Sequence, residues 1–423
     1  MSISPREFAE QVVRQLTDAG FTALWAGGCV RDLLLGREPK DYDVATSARP
    51  EQVREVFGRR RTLSVGESFG VIVVLGPKSA GQVEVATFRT DGCYVDGRRP
   101  ETVVFSSPEE DAQRRDFTIN GMFYDPLKKQ VLDYVGGEKD LAAGVLRAIG
   151  DPHARMEEDK LRMLRAVRFA ATFDFALDEA TADAVRSMAE QISVVSAERI
   201  AQELRRMLVD RHRHRALQLS LDVNLLLQIL PELQSVVTDT ESWQRLLREI
   251  RLLQEPDFAL AFAVLLKSVV EFDAAEVESG VRLVSEIGRR LKLSNQEIDS
   301  TTWLLKHREA LVDASNLPLS QLKRTLVHPL SGDLIALIRV QALARESEPA
   351  DALFCEEYLR TTPEDVLNPA PLISGDDLIR SGFRPGPQFK EILDQVRDAQ
   401  LEGCISTAAE AMTLAKKLST EAH

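Results

Sequence analysis

Two adjacent glycines, Gly27 and Gly28, lie between a short apolar run and a helical pattern, and they constrain how the first part of this chain can fold. Residues 22–26 read as a strand, and residues 30–35 predict the first turns of a helix that Gly36 ends. Glycines at such a junction let a ligand approach the backbone, and the free amides at a helix start attract phosphate. The pattern therefore predicts a phosphate-binding turn between a strand and a helix.

Asp41 and Asp43 follow this turn and lie two residues apart in a segment that reads as extended, so both carboxylates project from one face of a strand. A third carboxylate, Glu84, lies in an alternating run in which Val83 and Val85 are predicted to face the core. Carboxylates suit Mg²⁺ bound together with a nucleoside triphosphate, and two such ions about 4 Å apart can hold the attacking and leaving oxygens of an in-line displacement. Together with the glycine turn, the three acids predict nucleotidyl transfer.

The segment RRDFTIN offers polar groups for the remainder of a nucleotide. Arg114 and Arg115 provide two guanidinium groups for triphosphate oxygens, whereas Asp116 and Asn120 can form hydrogen bonds with a ribose.

The segment EDKLR carries a second polar set. Its spacing predicts that Asp159, Arg162 and Arg165 lie along one side of a helix. A carboxylate and a guanidinium can match the pairing edge of a base, and an ordinary salt bridge within the helix is the alternative.

Over about the first 170 positions, six segments resemble, in the same order, the motifs of the bacterial class II tRNA nucleotidyltransferase and poly(A) polymerase family: GGCVRDLLLG, DYD, VEVATFRTDG, DGRRP, RRDFTING and EEDKLRMLRAVRF. The resemblance implies an α/β head of the polymerase-beta-like nucleotidyltransferase type, a mixed sheet with helices, followed by an all-α neck, body and tail. Gly121 stands where the family usually has alanine.

The resemblance also implies roles for individual residues. Asp41, Asp43 and Glu84 are expected to be catalytic and to hold two Mg²⁺ ions, with Mn²⁺ as the alternative cation. The residues expected to bind the nucleotide are Gly27, Gly28, Arg31, Asp32, Arg114, Arg115, Asp116, Asn120, Asp159, Arg162 and Arg165.

Among these, Asp159 and Arg162 are expected to bind the base edge of CTP or ATP with support from Glu158, so that the protein itself acts as the template. The polar segment from Thr90 to Phe105 resembles the family's flexible loop, in which Asp96, Arg98 and Arg99 would help to switch the pocket from CTP to ATP. A solvated connection is the alternative for this loop.

The expected function is therefore template-independent addition of CCA to the 3′ end of tRNA from CTP and ATP, with release of pyrophosphate. The alternatives are an enzyme that adds only A or only CC, a poly(A) polymerase, and an RNA-binding protein with an inactive transferase head. Some relatives carry a hydrolytic domain with a His-Asp pair, but here Lys267 and Ser268 follow the apolar run at 258–266, which argues against a second, hydrolytic site.

Periodicity predicts strands and helices in alternation before residue 140 and helices after Pro152. We predict a head at 1–140, a neck at 141–215, a tRNA-binding body at 216–348 and a tail at 349–423. No run of eighteen apolar residues and no signal-peptide pattern occurs, so no membrane association and a cytoplasmic location are expected. No protein partner is predicted.

The net charge of −13 conceals local positive patches. Residues 197–215 contain six arginines against three acids, and the runs Arg59–Arg61 and Arg98–Arg99 add two further patches. Such patches can bind an RNA backbone, and a solvated surface is the alternative. The four cysteines are scattered without metal-site spacing, which predicts free thiols.

Overall fold

The structure is a computed structural model that describes residues 3–66, 70–91, 103–273, 277–386 and 388–421. Its internal contacts divide the chain into two compact units, Met1–Pro231 and Glu232–His423. The predicted fold class is confirmed, because a mixed sheet with helices is followed by a mainly helical remainder. The finer division into head, neck, body and tail stays a prediction.

In the described residues, seven strands form a sheet in the order β3-β4-β5-β2-β1-β8-β9, and the pairs β6–β7 and β10–β11 lie outside it. The strands are β1 Ala23–Ala26, β2 Asp43–Thr46, β3 Thr62–Gly66, β4 Val71–Leu75, β5 Gln82–Thr87, β6 Arg89–Asp91, β7 Val103–Phe105, β8 Phe123–Asp125, β9 Gln130–Leu132, β10 Val145–Leu146 and β11 Ala176–Leu177.

Helices make up most of the remaining described chain. In the first unit they are α1 Pro5–Asp18, α2 Gly28–Leu34, α3 Pro50–Phe57, α4 Pro108–Gln113, α5 Gly137–Ala143, α6 Pro152–Glu158, α7 Leu161–Phe173, α8 Glu179–Met188, α9 Ala197–Val209, α10 Arg213–Asp222 and α11 Leu225–Ile229. In the second unit they are α12 Gln234–Thr238, α13 Thr240–Leu252, α14 Phe258–Asp273, α15 Val277–Arg290, α16 Asn295–Lys306, α17 Leu319–Leu326, α18 Ser331–Ala344, α19 Ala350–Thr361, α20 Glu364–Leu367, α21 Gly375–Arg380, α22 Gln388–Leu401 and α23 Ala408–Glu421.

Helix α1 covers one face of the large sheet, and its sequence explains both its start and its packing. Ser4 and Glu7 form a reciprocal capping box, and Pro5 occupies the first turn, where its missing N–H costs nothing. Phe8 and Val12, on its apolar side, are buried. The opposite face also carries a buried apolar cluster, and the polar groups on it lie at the end where β2 begins.

The central strands place acidic side chains on that opposite face. Strands β2 and β5 run parallel, with Asp43 directly opposite Glu84, whereas the other pairs of the large sheet are antiparallel. Val83 and Val85 are buried and Glu84 is exposed, as the alternation predicted. Parallel pairing requires a crossover connection, which α3, β3 and β4 provide between β2 and β5.

Two strands of the large sheet, β3 and β8, were not indicated by the sequence pattern. The two ends of the polar connection predicted from Thr90 to Phe105 form strands, because β6 pairs antiparallel with β7. Residues 92–102, which include Asp96, Arg98 and Arg99, lie outside the described residues.

The second unit has a buried ion pair where a hydrolytic relative would have its His-Asp pair. Lys267 on α14 donates to both carboxylate oxygens of Glu249 on α13 at 2.8 Å, and the two side chains are only 2% and 1% exposed. Such a pair is stable only while both partners are present, since either charge alone is costly inside a protein. Lys267 is therefore a structural residue.

Within the described ranges, no single helix is long and apolar enough to cross a membrane. Leu319–Leu326 and Ser331–Ala344 meet the length and composition test only as a pair, and they are bent by 107°.

Substituting Glu249→Gln should lower the stability of the second unit by about 3–5 kcal/mol, because the Lys267 ammonium would remain buried without a counter-charge. Thermal unfolding monitored by circular dichroism measures the change. The control E357Q breaks the exposed pair between Glu357 and Arg360 and should change the midpoint little. Equal midpoints for E249Q and E357Q would contradict the structural role.

Candidate active site

The glycine turn has the predicted geometry. Gly27 is the N-cap residue of helix α2 and directly follows β1. Its φ of 72° lies in the region that favours glycine. Its N–H donates to the Met122 carbonyl at 3.2 Å. A Cβ at Gly27 would lie 3.0 Å from Nη1 of Arg115, whereas a Cβ at Gly28 would lie 3.6 Å from Nη2 of Arg31. Two features therefore favour glycine at position 27: its backbone angle, and the close approach of the Arg115 guanidinium.

The predicted carboxylates lie near the start of β2 and β5. Asp43 lies opposite Glu84, and Asp41 precedes β2 with its side chain exposed, while Tyr42 between the two aspartates is buried. The pKa of Asp43 is raised to about 6, first because surrounding protein atoms reduce its solvation although part of it remains exposed, and then because Glu84 and Asp41 are negative. Arg115 opposes this shift.

This donor set fits a hard divalent cation. All three side chains offer carboxylate oxygen, and a cation bound between them would relieve the mutual repulsion that adds to reduced solvation in raising the pKa of Asp43. In the described part of the chain, no three Asp, Glu, His or Cys side chains already stand close enough together to form a complete metal cage. Additional oxygen ligands would have to come from a bound triphosphate or water.

A cleft of about 550 Å³ opens beside Asp43 and the glycine turn. Its walls carry eight arginines, three aspartates, two glycines, Asn120, Leu161 and Phe169. The size suits a nucleotide, and the excess of arginine favours an anionic ligand. Of the residues predicted to bind a nucleotide, all but Asp32 line it: Gly27, Gly28, Arg31, Arg114, Arg115, Asp116, Asn120, Asp159, Arg162 and Arg165.

Arg114 and Arg115 are held in the cleft wall by one buried carboxylate, Asp111 on α4. One oxygen of Asp111 accepts from Nε of Arg114 at 2.9 Å, and the other accepts from Nη2 of Arg115 at 2.9 Å. Burial raises the pKa of Asp111, but the two guanidinium groups outweigh burial and keep it below the usual value. Asp111 thus fixes both arginines toward the cleft.

Asp116 connects three further cleft residues. It accepts from Asn120 at 3.2 Å and from Nη2 of Arg165 at 2.5 Å, and Asn120 in turn accepts from Nη1 of Arg31 at 2.6 Å. Burial acts to raise the pKa of Asp116, but the charge and hydrogen bonds of Arg165 act in the opposite direction. The pKa of Asp116 is lowered to about 2. Arg31 also donates to Asp32, so Asp32 contributes by orienting Arg31.

The predicted placement of Asp159 on the same helix as Arg162 is wrong. Asp159 has extended backbone angles and ends α6, whereas Arg162 lies in the first turn of α7. Asp159 accepts from Arg199 at 3.1 and 2.7 Å and from the Leu161 N–H at 3.0 Å. The break turns the acid toward Arg199 on α9, and both Asp159 and Arg162 still line the cleft.

Arg162 is oriented by groups on both sides. It donates to the Arg155 carbonyl at 3.0 Å, to the Arg114 carbonyl at 3.2 Å and to Glu158. Glu158 also accepts from Arg155 at 2.9 Å. These contacts are compatible with the supporting role predicted for Glu158.

Three residues of this framework were not assigned to the cleft from the sequence. Asp111 had a local signal, because it lies three and four residues before Arg114 and Arg115. Arg199 appeared only as part of a basic patch, and Glu203, which binds Arg168 from α9, gave no signal. The contacts of Arg199 and Glu203 span 40 and 35 residues, so no helical spacing reveals them.

Two family models match the chain between residues 23 and 236. Residues 23–147 match the "Poly A polymerase head domain", and residues 174–236 match the "Probable RNA and SrmB- binding site of polymerase A".

Relatives match far beyond these segments. The chain is 34% identical to a CCA-adding enzyme of Lactobacillus helveticus, with 96% of this chain and 95% of the relative covered. It is 38% identical to poly(A) polymerase I of Haemophilus influenzae, but that match covers 56% of this chain and 55% of the relative.

A solved structure of a Bacillus stearothermophilus CCA-adding enzyme in complex with CTP matches with a TM-score of 0.79 at 27% identity, covering 99% of this chain and 98% of the other. A Thermotoga maritima CCA-adding enzyme complexed with tRNA_CCA shares the fold, with a TM-score of 0.66 at 22% identity.

Substituting Asp111→Asn should loosen Arg114 and Arg115 and leave two half-buried guanidinium groups without their counter-charge. We expect a loss of about 3 kcal/mol in stability and weaker binding of inorganic triphosphate. Thermal unfolding and titration calorimetry measure the two effects. The matched control E109Q removes the same charge from an exposed position of α4, and equal results for both variants would contradict the role of Asp111.

Proposed function

The chain belongs to the family of CCA-adding enzymes and bacterial poly(A) polymerases, and from that membership we propose that it adds CCA to the 3′ end of tRNA with CTP and ATP as substrates. The observation that carries this proposal is the cleft in which a glycine turn, a metal-compatible acid and an arginine wall come together. The extent of the match favours CCA addition, since the Lactobacillus enzyme aligns over nearly its whole length and the Haemophilus polymerase over about half.

The chain's own residues can position both reactants. Arg114 and Arg115 would bind the triphosphate oxygens, and the glycine turn lines the same cleft, where its backbone can approach the phosphates. The 3′-hydroxyl oxygen of the RNA forms the new bond to the α-phosphorus, the bond to the β-phosphate breaks, and pyrophosphate leaves with the pair of electrons. The hydroxyl proton passes to solvent.

Asp41, Asp43 and Glu84 would hold the metal, which we propose to be two Mg²⁺ ions, with Mn²⁺ as the alternative. When bound, divalent cations stabilise negative charge on the attacking and leaving oxygens. The family is metal-dependent, and the identity and number of the ions stay predictions. The cytoplasmic location expected from the sequence is likewise a prediction.

Base selection is assigned to Asp159 and Arg162. Oδ1 of Asp159 already accepts from Arg199 and from the Leu161 N–H, but among the described groups Oδ2 accepts only from Arg199, so Oδ2 can accept from a base amino group while Arg199 keeps the acid in place. Arg162 is anchored by carbonyls and Glu158. A rigid donor on α7 and a rigid acceptor just after α6 would act as a protein template.

Asp116 suits a positioning role better than direct ribose binding. Its oxygens accept from the Phe117 N–H, from Asn120 and twice from Arg165, which fills the acceptor sites of a carboxylate. We propose that Asn120 and Arg31, which Asp116 orients, are the groups that face the sugar.

A poly(A) polymerase is the second candidate, favoured by the 38% identity to the Haemophilus enzyme over 254 residues. Incorporation of each radiolabelled nucleotide into tRNA that ends at the discriminator base, at C and at CC distinguishes the activities. Addition of C, C and then A, followed by a stop, is expected. Long A tails would identify a poly(A) polymerase, and addition of only CC or only A would identify a specialist.

Substituting Asp43→Asn should reduce incorporation at least about a thousandfold, because the metal-binding charge is lost while the side-chain shape is kept. Filter binding should show that tRNA is still retained. The control E51Q removes an exposed acid from α3 and should leave turnover unchanged. Wild-type turnover by D43N would reject the assignment of the catalytic acids.

Substituting Arg162→Ala should reduce discrimination among CTP, ATP, UTP and GTP by about 10- to 100-fold, as expected for the loss of a directed base contact. Ratios of kcat/KM for the four nucleotides measure the effect. The control R206A removes an arginine from the same cleft that contacts Glu203, and its ratios should remain those of the wild type. Unchanged selectivity in R162A would argue against the template role.

A further inference from the structure

Three consecutive arginines, Arg59–Arg61, form a 3₁₀ turn directly before β3 and are not part of the cleft. All three are exposed, and none forms an ion pair with a described residue. This differs from Arg114, Arg165 and Arg199, each of which is held by a carboxylate. Three free guanidinium groups in a chain of net charge −13 mark a local site for an anion.

The register of the sheet shows where this turn lies relative to the catalytic acids. Asp43 is opposite Glu84, Glu84 is opposite Val73, and Val73 is opposite Leu63. Leu63 on β3 is therefore in the same row across the sheet as Asp43, three strand spacings or about 14 Å away.

The strand directions place the arginines at the same edge as the acids. Strand β3 is antiparallel to β4, β4 is antiparallel to β5, and β5 is parallel to β2, so β3 and β2 run in the same direction. Residues that precede β3 and residues that precede β2 lie at one edge of the sheet. Arg59–Arg61 and Asp41 are these residues.

The side chains in this row also share a face. Directly opposed residues project to the same side, so Leu63 stands on the face that carries Asp43 and Glu84. Leu63 is 47% exposed and Val71 on the same face is half-buried, whereas Val73, between Leu63 and Glu84, is buried. Apolar surface beside arginines is what single-stranded nucleic acid uses, with bases against the apolar groups and phosphates against the cations.

We propose that Arg59–Arg61 and Leu63, here called the arginine rim, bind the backbone of the RNA substrate next to its reacting 3′ end. The inference rests on the proposed function, which places that end at Asp43. The RNA must leave the catalytic acids along some surface, and the rim provides cations at the same edge of the sheet, next to Leu63 and within a few nucleotides of the acids. The rim lies in the same row of the sheet as the acids, where the RNA end reacts. This alignment favours RNA over an acidic protein as the ligand of the rim.

The experiment compares two variants that lose the same charge. R60Q/R61Q removes two arginines of the rim, and K128Q/K129Q removes two exposed lysines from the turn between β8 and β9, at the opposite edge of the same sheet. Affinity for a tRNA transcript lacking CCA is measured by filter binding over a series of salt concentrations. The KM for CTP and the thermal midpoint are measured in parallel.

R60Q/R61Q is expected to bind the transcript about tenfold more weakly, and the slope of log affinity against log salt should fall by about 1.4 to 1.8, the values for two lost phosphate contacts on a single strand and on a duplex. Its KM for CTP and its midpoint should match those of the wild type. R60K/R61K should recover most of the affinity, because it restores the charge.

Wild-type affinity and salt slope in R60Q/R61Q would overturn the proposal, and so would an equal loss in K128Q/K129Q, since the effect would then come from net charge alone. Failure of the wild type to extend any tRNA would overturn the proposed function instead. The binding comparison does not depend on turnover, so the two failures can be told apart.

Discussion

Asp43 and Glu84 stand side by side because β2 and β5 pair in parallel, and the arrangement of the catalytic region follows from that pairing. A parallel pair brings the same ends of two strands together, so acids near the start of each strand meet at one edge. Antiparallel pairing would have sent one of them to the far edge. The cost is a raised pKa of Asp43, caused first by its reduced solvation and then by repulsion from Glu84 and Asp41, and a divalent cation bound there would relieve that repulsion.

The arginine cleft beside these acids is kept open by carboxylates behind it. Asp111, Asp116 and Glu203 are buried, and each is paired with one or more arginines of the wall. Removing such charges from water is unfavourable unless every partner is in place, so the framework is sensitive to the loss of any member. In return the guanidinium groups are oriented before a ligand arrives, and little reorganisation is needed when it binds.

Patterns within a few residues predicted much of this arrangement, and contacts over long separations were beyond them. The alternation around Glu84 indicated its exposed side, and the glycines between β1 and α2 indicated the turn. Asp159 was placed on a helix because its spacing to Arg162 is helical, but Arg199, 40 residues away, binds the acid at a break between α6 and α7. No local sequence period indicates a contact over so many residues. The place of β8 in the sheet likewise depends on a long-range contact, its pairing with β1.

The two neighbouring glycines of the turn differ in how much freedom they leave to protein engineering. At Gly28 a methyl group meets only ordinary van der Waals distance to Arg31, so a library at this position has room to explore. At Gly27 the left-handed backbone and the guanidinium of Arg115 exclude a side chain together, so that relieving one obstacle leaves the other. Variation of the turn is best directed to the second glycine, and the first is to be left untouched.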